Sequence, residues 1–206
     1  MNEAASKKPI GVFDSGLGGL TVFKEIRKLL PFEDIVYFGD TMRVPYGNKS
    51  VDNIRRFASE IASFLSSLSV KMIVVACNTV AANAIDVVEE VSGVRVVSVI
   101  EPGVRYAIEK TKTKKIIVIG TRATVRSHAY RKAIKSISKE ISVIEKPCPL
   151  FVPIVEEGFV DHPVGRLIVE EYLSEFRNTS YDTIILGCTH YPLLRKQIRD
   201  VLGDMI

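Results

Sequence analysis

Two stretches of this chain end in the same way. Met72-Ile-Val-Val-Ala-Cys77-Asn-Thr79 and Thr183-Ile-Ile-Leu-Gly-Cys188-Thr-His190 each run from apolar residues through a small residue to a cysteine and two polar residues. Short apolar runs of this kind read as buried strands, so each thiol is expected at a strand's carboxyl end with a helix starting just after it. There a thiol feels the positive end of a helix dipole, which lowers its pKa and supplies thiolate near neutral pH. Cysteine is more often a small buried hydrophobe, and Cys148, between Pro147 and Pro149, reads that way. The matched contexts of Cys77 and Cys188 point to chemistry instead.

Several two-thiol chemistries fit poorly. Disulfide exchange usually needs C-x-x-C, which the chain lacks. A zinc site built from Cys77, Cys188 and His190 has no fourth ligand at a recognisable spacing, so no metal is expected. A cysteine-phosphatase loop needs an arginine at a fixed distance. Position 83 is Asn83, and Arg195 falls inside the helix expected after Cys188. A further scheme places the thiols on opposite faces of one substrate carbon, where one removes a proton and the other supplies one, inverting a stereocentre. An amino-acid Cα proton is very weakly acidic, so donors and dipoles in a water-poor site must stabilise the carbanion.

Four polar clusters are expected at strand ends: Asp14-Ser15-Gly16, Gly39-Asp40, Cys77-Asn78-Thr79 and Cys188-Thr189-His190. Any one alone reads as helix capping. Four together, where open α/β sheets bind ligands, read as a site. The turn Asp14-Ser-Gly-Leu-Gly-Gly19 can bring backbone N–H groups close to an anion. It is no dinucleotide fingerprint, because position 21 is Thr21, and no Walker lysine follows.

These clusters need a scaffold of alternating strands and helices. Strands are expected at 10–13, 35–38, 72–77, 96–100, 115–119, 141–145 and 183–187. Helices are expected at 20–30, 51–68 (capped by Ser50), 80–91, 102–110, 123–138, 164–176 and 191–202. Strict alternation with continuous apolar strands predicts an α/β fold with parallel sheets covered on both faces. The pattern restarts near Glu101-Pro102. The expectation is two similar small α/β lobes, 1–100 and 101–206, with an active site in the cleft between them. One doubly wound sheet is the alternative.

Of 206 residues, 47% are hydrophobic and 25% charged, enough for a core without disulfides. The net charge of +4 is too small to imply nucleic acid. The run Lys110, Lys112, Lys114 and Lys115 reads as a solvated loop. No apolar run reaches the roughly 18 residues of a membrane helix. The polar start Met1–Lys8 lacks the apolar stretch of a signal peptide. A cytoplasmic chain without membrane or nucleic-acid partners is expected.

Five segments together resemble the glutamate racemases of the aspartate/glutamate racemase family. They are Gly11-Val-Phe-Asp-Ser-Gly-Leu-Gly-Gly-Leu20, Gly39-Asp-Thr-Met-Arg-Val-Pro-Tyr-Gly47, Ala76-Cys-Asn-Thr79, Val99-Ile-Glu-Pro-Gly103 and Leu186-Gly-Cys-Thr-His-Tyr-Pro192, and they span nearly the whole chain. The resemblance implies interconversion of L- and D-glutamate without cofactor, for peptidoglycan synthesis, by a homodimer. It implies that Cys77 takes the proton from D-glutamate and Cys188 from L-glutamate. Asp14 and His190 would assist the thiols, and Glu156 would support them. Substrate contacts would come from Asp14, Ser15, Tyr46, Gly47, Asn78, Thr79, Thr189 and His190, with Thr121 and Thr124 helping to hold the carboxylate. The residues alone make Tyr46-Gly47 a solvated turn. Family members usually continue past the point where this chain stops, with a tail that completes the first lobe. Two alternatives stay open here: a racemase for aspartate or another amino acid, and a small-anion binding module without racemase activity.

Overall fold

A computed structural model of the chain describes residues 7–203. Residues 1–6, most of the polar start, and residues 204–206 lie outside them. The chain divides into two compact units, one ending at Val99 and the next beginning at Ile100. The first holds a four-stranded sheet and the second a three-stranded one, so the single doubly wound sheet is excluded.

In the first unit β1 (Ile10–Asp14) pairs in parallel with β2 (Ile35–Gly39) on one side and β3 (Met72–Val75) on the other, and β4 (Arg95–Ser98) adds beyond β3. Helices make the crossovers that parallel strands require: α1 (Leu20–Leu29), α2 (Val51–Ser67), α3 (Asn78–Asn83) and α4 (Ile85–Ser92). α2 forms because its apolar residues recur at helical spacing, and it buries Ile54, Phe57, Ala58, Ile61, Ala62 and Leu65. Ser50 caps it, its hydroxyl accepting from the Asn53 N–H at 3.3 Å. The cap is worth about 1 kcal/mol. Burying Ile54, Phe57, Ile61 and Leu65, at roughly 1.5–3 kcal/mol each, outweighs it. Gly11 lets Leu65 lie close against the sheet, since a Cβ there would touch the leucine at 3.4 Å.

The second unit repeats this wiring. β5 (Lys115–Gly120) is central, with β6 (Ser142–Pro147) on one side and β7 (Thr183–Gly187) on the other, all parallel. Its helices are α5 (Ile100–Lys110), α6 (Arg122–Ser127), α7 (Ala129–Ile137), α8 (Phe151–Glu156), α9 (Pro163–Leu173) and α10 (Arg195–Leu202). Its core joins Ile117 and Ile119 of β5 to Phe151, Leu173, Phe176, Tyr191 and Ile198. In each unit the first strand is central and the next two flank it. The switch point that places ligands in open sheets thus falls between β1 and β3, and between β5 and β7. β3 and β7 are the strands that lead into Cys77 and Cys188.

Element boundaries depart from the sequence reading where single residues decide. The helix expected at 80–91 starts at Asn78 and breaks at Ala84 (φ −150°). The one expected at 123–138 breaks at His128, whose φ of 54° is left-handed. The strand expected to reach residue 100 stops at Ser98, and α5 begins at Ile100, before Pro102. The lysine run is partly paired: Lys114 with Glu140, Lys110 with Glu109 and Lys115 with the Ser180 hydroxyl. Among the described residues no helix is long and apolar enough to cross a membrane.

A paired substitution tests the packing at the head of β2. A Cβ on Gly39 would lie 2.5 Å from the Gly16 carbonyl oxygen, whereas one on Gly103, inside α5, meets nothing within 4 Å. Gly39→Ala is expected to lower stability by about 1–3 kcal/mol. Gly103→Ala is expected to raise it by about 0.5–1 kcal/mol. Urea denaturation midpoints check both signs.

Candidate active site

Each unit gathers its polar residues where its central strand and third strand end. In the first, Ala76 N–H donates to the Phe13 carbonyl at 2.9 Å, which brings Asp14 and Cys77 side by side. The Asp14 side chain is fully buried. Its Oδ2 accepts from the N–H groups of Gly16 and Gly19, both at 3.1 Å. The glycine turn read as an anion cradle therefore closes first around its own aspartate. Gly19 must be glycine for this, because a Cβ would stand 2.4 Å from that of Asp14. Ser15 follows, and the Cys77 thiol donates to its hydroxyl at 3.4 Å.

Cys77 caps α3, with Asn78 and Thr79 buried in its first turn. The helix has only 6 residues, and its dipole does not win. Burial, then the neighbouring Asp14 charge, push the thiol's pKa up to about 11, against smaller lowering by hydrogen bonds from the Ser15 hydroxyl and the Val80 and Ser15 amides. The expectation of a lowered pKa is thus reversed at Cys77, because removing a thiolate from water costs more than one short helix returns.

Tyr46 and Gly47 are buried, not a solvated turn. Their 3-10 turn packs against α3, and the Tyr46 hydroxyl donates to Asp40 Oδ2. Burial and that carboxylate raise the phenol's pKa, so Tyr46 stays a donor. Arg43 Nε holds the same oxygen at 2.5 Å. Asp40 N–H donates to the Asp14 carbonyl at 3.1 Å, tying the Gly39-Asp40 cluster to the end of β1.

In the second unit Gly120 of β5 and Gly187 of β7 are register partners, so Thr121 and Cys188 leave from adjacent strand ends. Thr121 caps α6, accepting from the Thr124 N–H at 3.2 Å, and the two threonine hydroxyls lie 3.0 Å apart. Cys188 is buried, with Sγ 3.9 Å from His190 Nδ1. The other imidazole nitrogen, Nε2, hydrogen-bonds Glu156 Oε1. Glu156 is the last residue of α8, a helix just after Pro147 and Pro149 that is not among those expected from the sequence. Thr189 is buried between Cys188 and His190 in sequence. No α-helix starts directly after Cys188. A turn and a 3-10 turn, Tyr191–Leu194, come first, and α10 begins at Arg195.

The two halves surround their thiols differently. Cys77 has a hydroxyl and a buried carboxylate; Cys188 has an imidazole backed by a carboxylate. The second arrangement couples a thiol to a base oriented by a third group. Cys148 has no such company. It is fully buried in the core, its thiol donates to the Lys146 carbonyl at 3.8 Å, and burial pushes its pKa up to about 12.

The family model described as Asp/Glu/Hydantoin racemase matches residues 10–206. A glutamate racemase from Chlorobaculum tepidum is 52% identical over 206 residues, which is 100% of this chain and 76% of that protein. The crystal structure of a glutamate racemase isoform from Bacillus anthracis superposes with a TM-score of 0.93 at 42% identity, covering 98% of this chain and 76% of that one. A Francisella tularensis glutamate racemase in complex with D-glutamate gives 0.91 at 44% identity, covering 96% and 74%.

The Cys77 environment makes a pH prediction. The raised pKa means that the folded chain keeps the Cys77 proton after an unfolded chain has lost it. This contributes stability that is present below the unfolded value of about 8.5. It disappears as pH rises through about 11. In a Cys148→Ala/Cys188→Ala protein, thiolate ultraviolet absorbance is expected to rise with a midpoint near 11, and Asp14→Asn, which keeps an acceptor for the turn, is expected to move it down. A midpoint at or below the ordinary value contradicts the reading.

Proposed function

We infer from one premise, that this chain belongs to the Asp/Glu/Hydantoin racemase family, that it interconverts L- and D-glutamate. The observation that carries the reading is the placement of Cys77 and Cys188 after equivalent strands, each buried and each hydrogen-bonded to a polar partner. In the L-to-D direction, Cys188 as thiolate takes the Cα proton. The C–H bond breaks and its electron pair stays on the substrate, delocalised toward the carboxylate. Cys77, held as a thiol by burial beside Asp14, gives its proton to the opposite face and is left as thiolate. The D-to-L direction runs the same steps backward with the thiols exchanged; before a second turnover in the same direction Cys188 loses its proton to water and Cys77 regains one from it, and no redox partner is needed.

Asp14 and Ser15 serve Cys77, and His190 with Glu156 serves Cys188. Tyr46, Gly47, Asn78, Thr79, Thr121, Thr124 and Thr189 hold glutamate, with Asp14, Ser15 and His190 also in contact with it. Buried donors of this kind stabilise charge that develops on the substrate carboxylate. Family resemblance supports the rest of the reading: no cofactor, a homodimer in the cytoplasm, and D-glutamate made for peptidoglycan.

A chiral assay of glutamate from both enantiomers tests this. Cys77→Ala and Cys188→Ala are each expected to lose roughly 100-fold or more of the racemisation rate, the scale of one positioned acid or base. Cys148→Ala is expected to keep it. Normal racemisation by either of the first two sinks the two-thiol scheme. Faster turnover of aspartate than of glutamate in a substrate panel would reassign the substrate.

A further inference from the structure

Tyr37 has none of the roles above, yet it is built into the turn that carries Ser15. It lies in the middle of β2, opposite Val12 of β1, with its ring edge-on to Phe23 of α1 at 6.0 Å. Its hydroxyl donates to the Gly16 carbonyl oxygen at 2.8 Å. Two glycines make room for it. A Cβ on Gly19 would stand 2.8 Å from the Tyr37 hydroxyl, and one on Gly39 would stand 3.1 Å from a Tyr37 ring carbon.

The consequence falls on Gly16, the residue after Ser15. Its N–H is held by Asp14 Oδ2 and its C=O by Tyr37 Oη. With both ends of this residue fixed, the backbone leading out of Ser15 has one course, and the Ser15 hydroxyl is set against Cys77 Sγ. Burial, and then the nearby Asp14 charge, raise the phenol's pKa, so it stays a donor. The ring packs against Phe23, and that contact survives loss of the hydroxyl.

We propose that Tyr37 is a positioning residue, whose hydroxyl fixes the Gly16 peptide and thereby holds the Ser15 hydroxyl on Cys77. The inference rests on Cys77 as a proton-transfer group, but its first test does not require racemisation. Tyr37→Phe keeps the ring and removes only the donor. Ser15→Ala removes the group that Tyr37 positions. When Cys77 is the thiolate, the Ser15 hydroxyl becomes its donor, so losing or misplacing that hydroxyl makes the thiolate harder to form.

Alkylation by iodoacetamide, followed across pH by peptide-resolved mass spectrometry, reports Cys77 and Cys188 separately in the same sample. Each single variant is expected to slow Cys77 alkylation near neutral pH by roughly 5-fold, the scale of one hydrogen bond, and to move its midpoint upward. The double variant is expected to be no slower than either single one, because both act through one contact. Cys188 alkylation is expected to be unchanged. Additive effects, a Tyr37→Phe protein with normal Cys77 reactivity, or equal slowing at Cys188 would each overturn the proposal. In racemisation the same non-additive loss of kcat/KM is expected. A wild-type chain that does not racemise glutamate would overturn the proposed function, while the alkylation cycle still decides the role of Tyr37.

Discussion

The buried carboxylate of Asp14 organises the first unit. It has left water entirely, and it recovers hydrogen bonds by turning the backbone of the next five residues back onto itself. That closure sets three things at once. It requires glycine at position 19, it sets where Ser15 stands, and it leaves a negative charge beside Cys77. The neighbouring strand end is tied to it through Asp40 N–H and the Asp14 carbonyl. A carboxylate in this position costs more to leave unpaired than any one of its hydrogen bonds contributes, so the turn and the charge come as one piece.

The second unit solves the same topological problem with other chemistry. At the matching strand ends it has a pair of threonine hydroxyls and a thiol next to a histidine whose far nitrogen is held by Glu156. One thiol is thus kept protonated by its surroundings, and the other lies beside a base. A thiolate at Cys77 is disfavoured by about 2–3 kcal/mol, because burial and Asp14 push the thiol's pKa up to about 11 and each pKa unit is about 1.4 kcal/mol. On the two-thiol reading this biases the resting protein toward Cys77 as the acid. The penalty is modest beside the barrier to removing an amino-acid Cα proton, so either direction remains open.

Much of this is legible in the residues. Alternation of apolar strands with amphipathic helices predicts two parallel α/β lobes, and Cys77 and Cys188 announce themselves through matched endings. What resists reading has physical causes. The break at His128 depends on one left-handed residue that nothing in the local pattern requires. α8 hides in a proline-rich segment, because Pro153 sits in its first turn, where its missing N–H costs nothing. The pKa of Cys77 depends on its burial and then on Asp14, far away in sequence and adjacent only through strand pairing. Tyr37 looks like one more apolar strand residue, and only its hydroxyl's reach to Gly16 sets it apart. The individual substrate contacts come from resemblance, since a buried threonine at a strand end looks the same whether it caps a helix or meets a ligand.

The most direct measurement is proton NMR of L-glutamate in D₂O with the reduced protein and no added cofactor, with the enantiomers resolved in the same samples. The account predicts loss of the Cα proton signal together with the appearance of D-glutamate, because the carbon is reprotonated from a group that exchanges with solvent. An unchanged Cα signal from folded protein that binds glutamate would contradict it, and would make this chain a glutamate-binding module in place of a racemase.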